Sequence, residues 1–125
     1  MNRNLIIVII AIVLTATMVL AEDTRPQENT DETIAYLLAF VAKSDYAFIR
    51  NGQSYTDKQA SNHMQEKGRY FKDQIVTPED FIRLAASESL VTGQPYMVMT
   101  KEGKELRCDE WLKEVLKEYR KTKKG

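Results

Sequence analysis

Cysteine and histidine each occur once in this 125-residue chain, at Cys108 and His63. A lone cysteine cannot close an internal disulfide, the usual support of small exported domains. Cohesion must therefore come from core packing, and Cys108 is expected to be a small buried apolar residue beside the last helix. One histidine and one cysteine are too few for a zinc site. No Gly-rich phosphate loop, Gly-x-Ser-x-Gly or Ser-x-x-Lys run is present, so neither a resident cofactor nor an activated serine is signalled.

Charge of one sign is lacking as well. The chain carries 18 basic and 18 acidic side chains, and taking Arg3 away leaves the rest within one charge of neutrality. A nucleic-acid partner calls for a strong positive excess and is excluded on that ground. The local cluster Lys117, Arg120, Lys121, Lys123 and Lys124 reads as a solvated, frayed helix end, where cations are favoured by the helix dipole.

The long apolar run that does exist is confined to the N-terminus. Leu5 to Leu14 is entirely apolar, follows the single charge of Arg3, and leads through Val19-Leu20-Ala21 to Glu22. This is the layout of a secretory signal with cleavage between Ala21 and Glu22. The alternative is an uncleaved anchor, for which the uncharged stretch Leu5 to Ala21 is at the lower length limit of a membrane span. The expected organisation is a signal over 1–21, a flexible polar leader over 22–29, and one domain over 30–125. About a hundred residues bury one core and have no room for two.

Within the domain the periodicity alternates between helix and hairpin. Thr30 is read as the cap of a helix in which Ile34, Leu37, Leu38 and Val41 recur at i, i+3, i+4 and i+7. Asn51-Gly52, between Tyr46–Arg50 and Gln53–Tyr55, supplies both positive-φ positions of a type I′ hairpin turn. Thr56 and Gln59 form a capping box ahead of a long helix whose stripe is Ala60, Met64, Gly68, Phe71 and Ile75. Gly68 within that stripe costs about 1 kcal/mol relative to alanine and predicts the close passage of another backbone. Thr77-Pro78-Glu79-Asp80 starts a third helix, which dissolves at Ser87-Glu88-Ser89. A second hairpin follows, from Tyr96–Thr100 through Lys101–Lys104 to Glu105–Arg107. Asp109 is read as the cap of a last helix with Trp111, Leu112, Val115, Leu116 and Tyr119 inward. The predicted class is α+β: a small antiparallel sheet from two β-hairpins, packed by four α-helices.

His63 and Lys67 share a helix face with Tyr70. As chemistry, His63 is a base near neutral pH and Lys67 an anion ligand; as structure, they are a boundary histidine bonded to a neighbouring loop and a solvated lysine. Ser87 and Ser89 read as helix terminators that bond the last carbonyls or the next turn. The site expected from sequence is the patch Arg50, Asn51, His63, Lys67, Ser87, Ser89 and Tyr96, polar groups suited to a small anionic or sugar-like ligand. The competing reading is that these residues bond to one another and hold loops in place.

The ordered set Phe48-Ile49-Arg50-Asn51-Gly52, Ala60, His63-Met64, Lys67, Glu79-Asp80-Phe81-Ile82, Ala86-Ser87, Ser89, Thr92-Gly93 and Pro95-Tyr96 resembles the YfeK-like family of small bacterial proteins of unknown function. Asp109-Glu110-Trp111-Leu112 resembles the family's closing helix, so the likeness runs from Ile34 to Tyr119. It implies a Gram-negative periplasm and brings no activity. It also implies a cysteine where Tyr46 stands and another near Thr100. Their joint absence here implies that these positions are neighbours and that the two hairpins form one sheet. Met64 replaces the family's leucine, a mild core exchange.

The reading that results is an exported, non-catalytic binding or envelope-associated module. Its partner classes are a small ligand or an envelope component, and nothing in the sequence requires an oligomer. Two alternatives stand beside it: a hydrolytic enzyme using His63 with a nearby serine or carboxylate, and a membrane-tethered accessory protein should the signal stay uncut. N-terminal sequencing of the protein recovered from cells is expected to begin at Glu22; a sequence beginning at Met1 would overturn cleavage.

Overall fold

The computed structural model describes residues 27–124. The expected signal, its Ala21–Glu22 cleavage point and most of the expected leader lie outside the described residues. The elements are α1 (Thr30–Ala42), β1 (Ala47–Arg50), β2 (Gln53–Tyr55), α2 (Asp57–Tyr70), a 3₁₀ turn (Lys72–Gln74), α3 (Pro78–Ala85), β3 (Met97–Met99), β4 (Glu105–Arg107) and α4 (Cys108–Lys124). The class is the α+β arrangement read from the sequence: four helices and one four-stranded antiparallel sheet built from two hairpins.

Strand order is β2-β1-β3-β4, so the hairpins join through β1 and β3. Ala47 pairs with Met99, Phe48 with Val98 and Ile49 with Met97. Continued one residue each way, this register sets Tyr46 opposite Thr100 and Arg50 opposite Tyr96. The neighbourhood of Tyr46 and Thr100 implied by the family resemblance is thus present. Asn51 and Gly52 adopt φ of 53° and 76°, the left-handed pair that a tight I′ turn demands, and Arg50 pairs directly with Gln53 across it.

The core lies between the sheet and the helices. Leu37 and Val41 of α1, Phe81 and Ile82 of α3, Val98 of β3 and Leu112 of α4 are all essentially inaccessible. Cys108 is fully buried among them, and burial pushes its thiol up to about 12, so it packs as an inert apolar residue. The predicted capping box of Thr56 with Gln59 is formed, and the predicted helix start at Thr77, with Pro78 in the first turn of α3, is also a capping box, with Asp80.

Five local expectations need correction. Asn29, not Thr30, caps α1: its side-chain oxygen accepts from the Glu32 N–H, while Thr30 is already helical. Asp109 lies inside the first turn of α4, which begins at Cys108; its carboxylate takes the Glu110 N–H and the Arg107 guanidinium. The long helix breaks at Tyr70, so Phe71 and Ile75 belong to the 3₁₀ turn and its flanks. Gly68 admits an aromatic ring and not a backbone: a Cβ there would meet Phe81 Cε1 at 3.1 Å. The basic end of α4 is tied down, with Arg120 bridging Glu28 at 2.9 Å and Glu79 at 2.7 Å, and Lys123 meeting Glu32 at 3.1 Å.

The Gly68–Phe81 contact makes a graded prediction. In Gly68→Ala, the helix gain of about 1 kcal/mol offsets a small ring displacement, and stability stays within about 1 kcal/mol of the parent. Gly68→Val overpacks the contact and should lose about 1–3 kcal/mol, read as a lower urea midpoint. A valine variant as stable as the parent would show that the ring does not fill this space.

Candidate functional site

The inward face of the sheet carries more than core. Because alternate residues share a face, Phe48, Arg50, Tyr55, Tyr96 and Val98 all project toward the helices. The apolar pair Phe48 and Val98 closes the middle of that face, and Arg50 and Tyr96 fall at its end, beside α2. A cleft of about 280 Å³ opens there, lined by Phe48, Arg50, Tyr55, His63, Glu66 and Tyr96 among others.

Arg50 is held from two sides. Its Nη1 lies 2.6 Å from Nε2 and 2.7 Å from Nδ1 of His63, and its Nη2 donates to the Tyr55 hydroxyl at 3.1 Å. The guanidinium also stands over the Tyr55 ring, 4.7 Å from its centroid. A guanidinium only donates, so the ring nitrogen facing it must offer a lone pair and the imidazole must be neutral. Burial is the largest influence holding the His63 pKa below its ordinary value, followed by the charges of Arg50 and Lys67, with Glu66 opposing. With the proton on Nε2, His63 donates to the Tyr96 hydroxyl at 3.2 Å and accepts from Arg50 through Nδ1.

Behind Tyr96 lies Lys67, which the sequence reading placed in solvent. It is only 7% exposed. Its ammonium donates to the Glu88 carbonyl at 2.8 Å and to the Tyr96 hydroxyl at 3.0 Å. Burial first, and then Arg50, holds its pKa below that of a free lysine; burial also raises that of the Tyr96 phenol. Among the described residues no carboxylate comes within salt-bridge distance of Arg50 or Lys67. A half-buried guanidinium and a buried ammonium thus meet two phenols, one imidazole and a backbone carbonyl, neutral partners throughout.

The expected patch divides in two. Arg50, His63, Lys67 and Tyr96 form the cluster just described. Asn51 and Ser89 form a second, in which Asn51 Nδ2 donates to Ser89 Oγ at 3.1 Å and the Thr92 hydroxyl donates to Asn51 Oδ1. That pair straps the 87–95 loop to the hairpin turn, while Tyr96 N–H to Ser87 O and Gly93 N–H to Ser89 O close the loop on itself. Ser87 joins neither, since its hydroxyl donates to Ile82 O at 2.9 Å and terminates α3. The hydrogen bonds of His63 run to Arg50 and Tyr96, so the serine or carboxylate partner that the hydrolytic reading requires is not supplied among the described residues.

Tyr55 and Glu66 are absent from the sequence-derived patch. Tyr55 was legible in principle, since a two-residue hairpin turn sets residue 55 diagonal to residue 50. Glu66 carried no sequence signal that separates it from other exposed acids.

Residues 28–120 match a family of unknown function (DUF5329), and the chain belongs to that family. The uncharacterized protein YfeK of Salmonella typhimurium is 39% identical over 62 residues, covering 50% of this chain and 52% of that protein. The chain thus spans about half the length of the curated relative it matches. No solved structure matches it.

The neutral imidazole predicts a pH response. The pKa of His63 in the folded protein lies below the usual 6.5, so in that window the unfolded chain binds the proton more readily than the folded one. Stability should therefore fall as pH drops from roughly 7 to 5, and this component should be missing in His63→Gln. Parallel melting-temperature profiles for the two proteins over that range would refute it.

Proposed function

We propose that this chain is an exported, non-catalytic binding module that takes a small anionic ligand in the cleft between the first hairpin and α2. The observation that carries this reading is the pair of cations, Arg50 and Lys67, without a carboxylate partner among the described residues. Removing a cation from water costs free energy that neutral hydrogen-bond partners offset only in part. A bound anion supplies the missing attraction, more strongly for being partly desolvated.

The parts have distinct roles. Arg50 faces the cleft with a guanidinium already oriented by His63 and Tyr55, so little side-chain freedom remains to be lost on binding. Its three remaining N–H groups form the fork suited to a carboxylate or phosphate. Lys67 adds positive field from behind Tyr96 without reaching into the cleft. Neutral His63 relays the orientation. The 87–95 loop is fixed by Lys67 through the Glu88 carbonyl and by Asn51 through Ser89 and Thr92. Export rests on the Met1–Ala21 layout, and the periplasm is the compartment implied by the family resemblance.

Small carboxylates, such as acetate and benzoate, should raise the melting temperature and bind in calorimetry, whereas uncharged sugars should not. A charge-assisted hydrogen bond contributes about 1.5–3 kcal/mol, so Arg50→Gln should weaken carboxylate binding about 10- to 100-fold. Sugar binding without carboxylate binding, or equal affinity in Arg50→Gln, would overturn the anion site.

A further inference from the structure

Glu66, one turn of α2 beyond His63, lines the same cleft as Arg50. It is exposed, and among the described residues it has neither a hydrogen-bond nor an ion-pair partner. Its charge reaches the imidazole, where it opposes the effects of Arg50 and Lys67. Two opposite charges in one cleft would ordinarily close on each other, yet Arg50 and Glu66 stay beyond the 4.0 Å limit of an ion pair. The guanidinium is held back by His63 and Tyr55. The cleft therefore presents a fixed positive pole and a separate negative pole.

Between the poles the lining is mixed. Phe48 and Met64, both nearly inaccessible, make an apolar floor. Gln59 and Asn62 stand on the lip. The Gln59 carbonyl already serves the capping box through the Thr56 N–H, which leaves its two amide N–H donors free. Asn62 has both donor and acceptor to offer.

From this we infer that the ligand is a short zwitterion of peptide type, a dipeptide with apolar side chains, its carboxylate on Arg50 and its ammonium toward Glu66. The inference rests on the anion-site reading and narrows it. A free α-amino acid carries both charges but has no peptide group for the Gln59 and Asn62 amides that line the cleft. A second residue adds about 3.3–3.6 Å of reach, and the cleft of about 280 Å³ falls just below the volumes typical of drug-sized ligands. The peptide group then meets the Gln59 and Asn62 amides, and apolar side chains meet Phe48 and Met64. A phosphate dianion is disfavoured because its second charge would face Glu66.

Calorimetry on the intact protein with alanyl-leucine, N-acetyl-alanyl-leucine and alanyl-leucinamide tests this. Alanyl-leucine should bind tightest, and blocking either end should weaken binding about tenfold or more. Glu66→Gln, a surface change, should leave the two free-carboxylate compounds bound equally. If the wild-type protein binds N-acetyl-alanyl-leucine as tightly as alanyl-leucine, the ammonium pole is refuted while the anion site stands. If acetate and benzoate bind and alanyl-leucine does not, the dipeptide is refuted alone. If neither simple carboxylates nor alanyl-leucine bind, the anion site fails, and this inference with it.

Discussion

The pairing of β1 with β3 is the constraint from which both fold and site follow. Each hairpin alone is a two-stranded ribbon, which is marginal in water. Joined through Phe48 and Val98, they become one sheet with an apolar inward face broad enough to seat α2 and α4. The same register carries Arg50 to a position opposite Tyr96. A slip of one residue would turn one set away from the helices, either Arg50 with Phe48 or Tyr96 with Val98. Correct core burial and correct site assembly are therefore one event here, and the register that buries the core cannot leave the site misplaced.

Lys67 is where the fold accepts a cost. A buried lysine normally pairs with a carboxylate or sheds its proton. Here it gives hydrogen bonds to a backbone carbonyl of the 87–95 loop and to a phenol at the start of the second hairpin, and so ties both segments to α2. Arg50 does the same for the first hairpin through His63 and Tyr55. The structural and binding readings of these residues are thus compatible: loops are held by cations whose charge is left uncompensated, and the uncompensated charge is what an anion would meet. Neutral His63 makes this workable, since a protonated ring would set a third cation against the other two.

Features governed by local chemistry were legible in the sequence. Asn51-Gly52, the Thr56–Gln59 capping box, the helix start at Thr77-Pro78 and the apolar stripe of α4 each specify their geometry within a few residues. What was not legible depends on tertiary neighbours. The stripe Ala60, Met64, Gly68 continues to Phe71 and Ile75 without interruption in the sequence, yet the helix ends at Tyr70. Lys67 looked solvated because its spacing places it beside the apolar stripe; only the folded-back 87–95 loop covers it. Four members of the site were visible as a group, while Ser87 was drawn in by proximity in sequence and is committed to the end of α3. The split between the Arg50 and Asn51 clusters follows from the turn, which points adjacent residues to opposite neighbours.

The absent cysteines also acquire a physical meaning. The family resemblance implies a pair at Tyr46 and near Thr100, and the β1–β3 register places those positions across from each other. A bridge there would close a loop of some fifty residues and constrain the unfolded chain by roughly 4 kcal/mol on the entropy model. In this chain the Tyr46 ring packs 5.8 Å from Trp111, within a run of aromatic contacts that continues through Phe40 and Tyr36 to Tyr119. Each such contact contributes about 0.5–1.5 kcal/mol beyond area burial, so several together are comparable to one bridge. The aromatic run fastens α1 and α4 to the end of the central strands where the bridge would have acted. The cation cluster is at the other end of β1, so the two devices secure opposite ends of the same strand, and only one of them leaves charge free to meet a ligand.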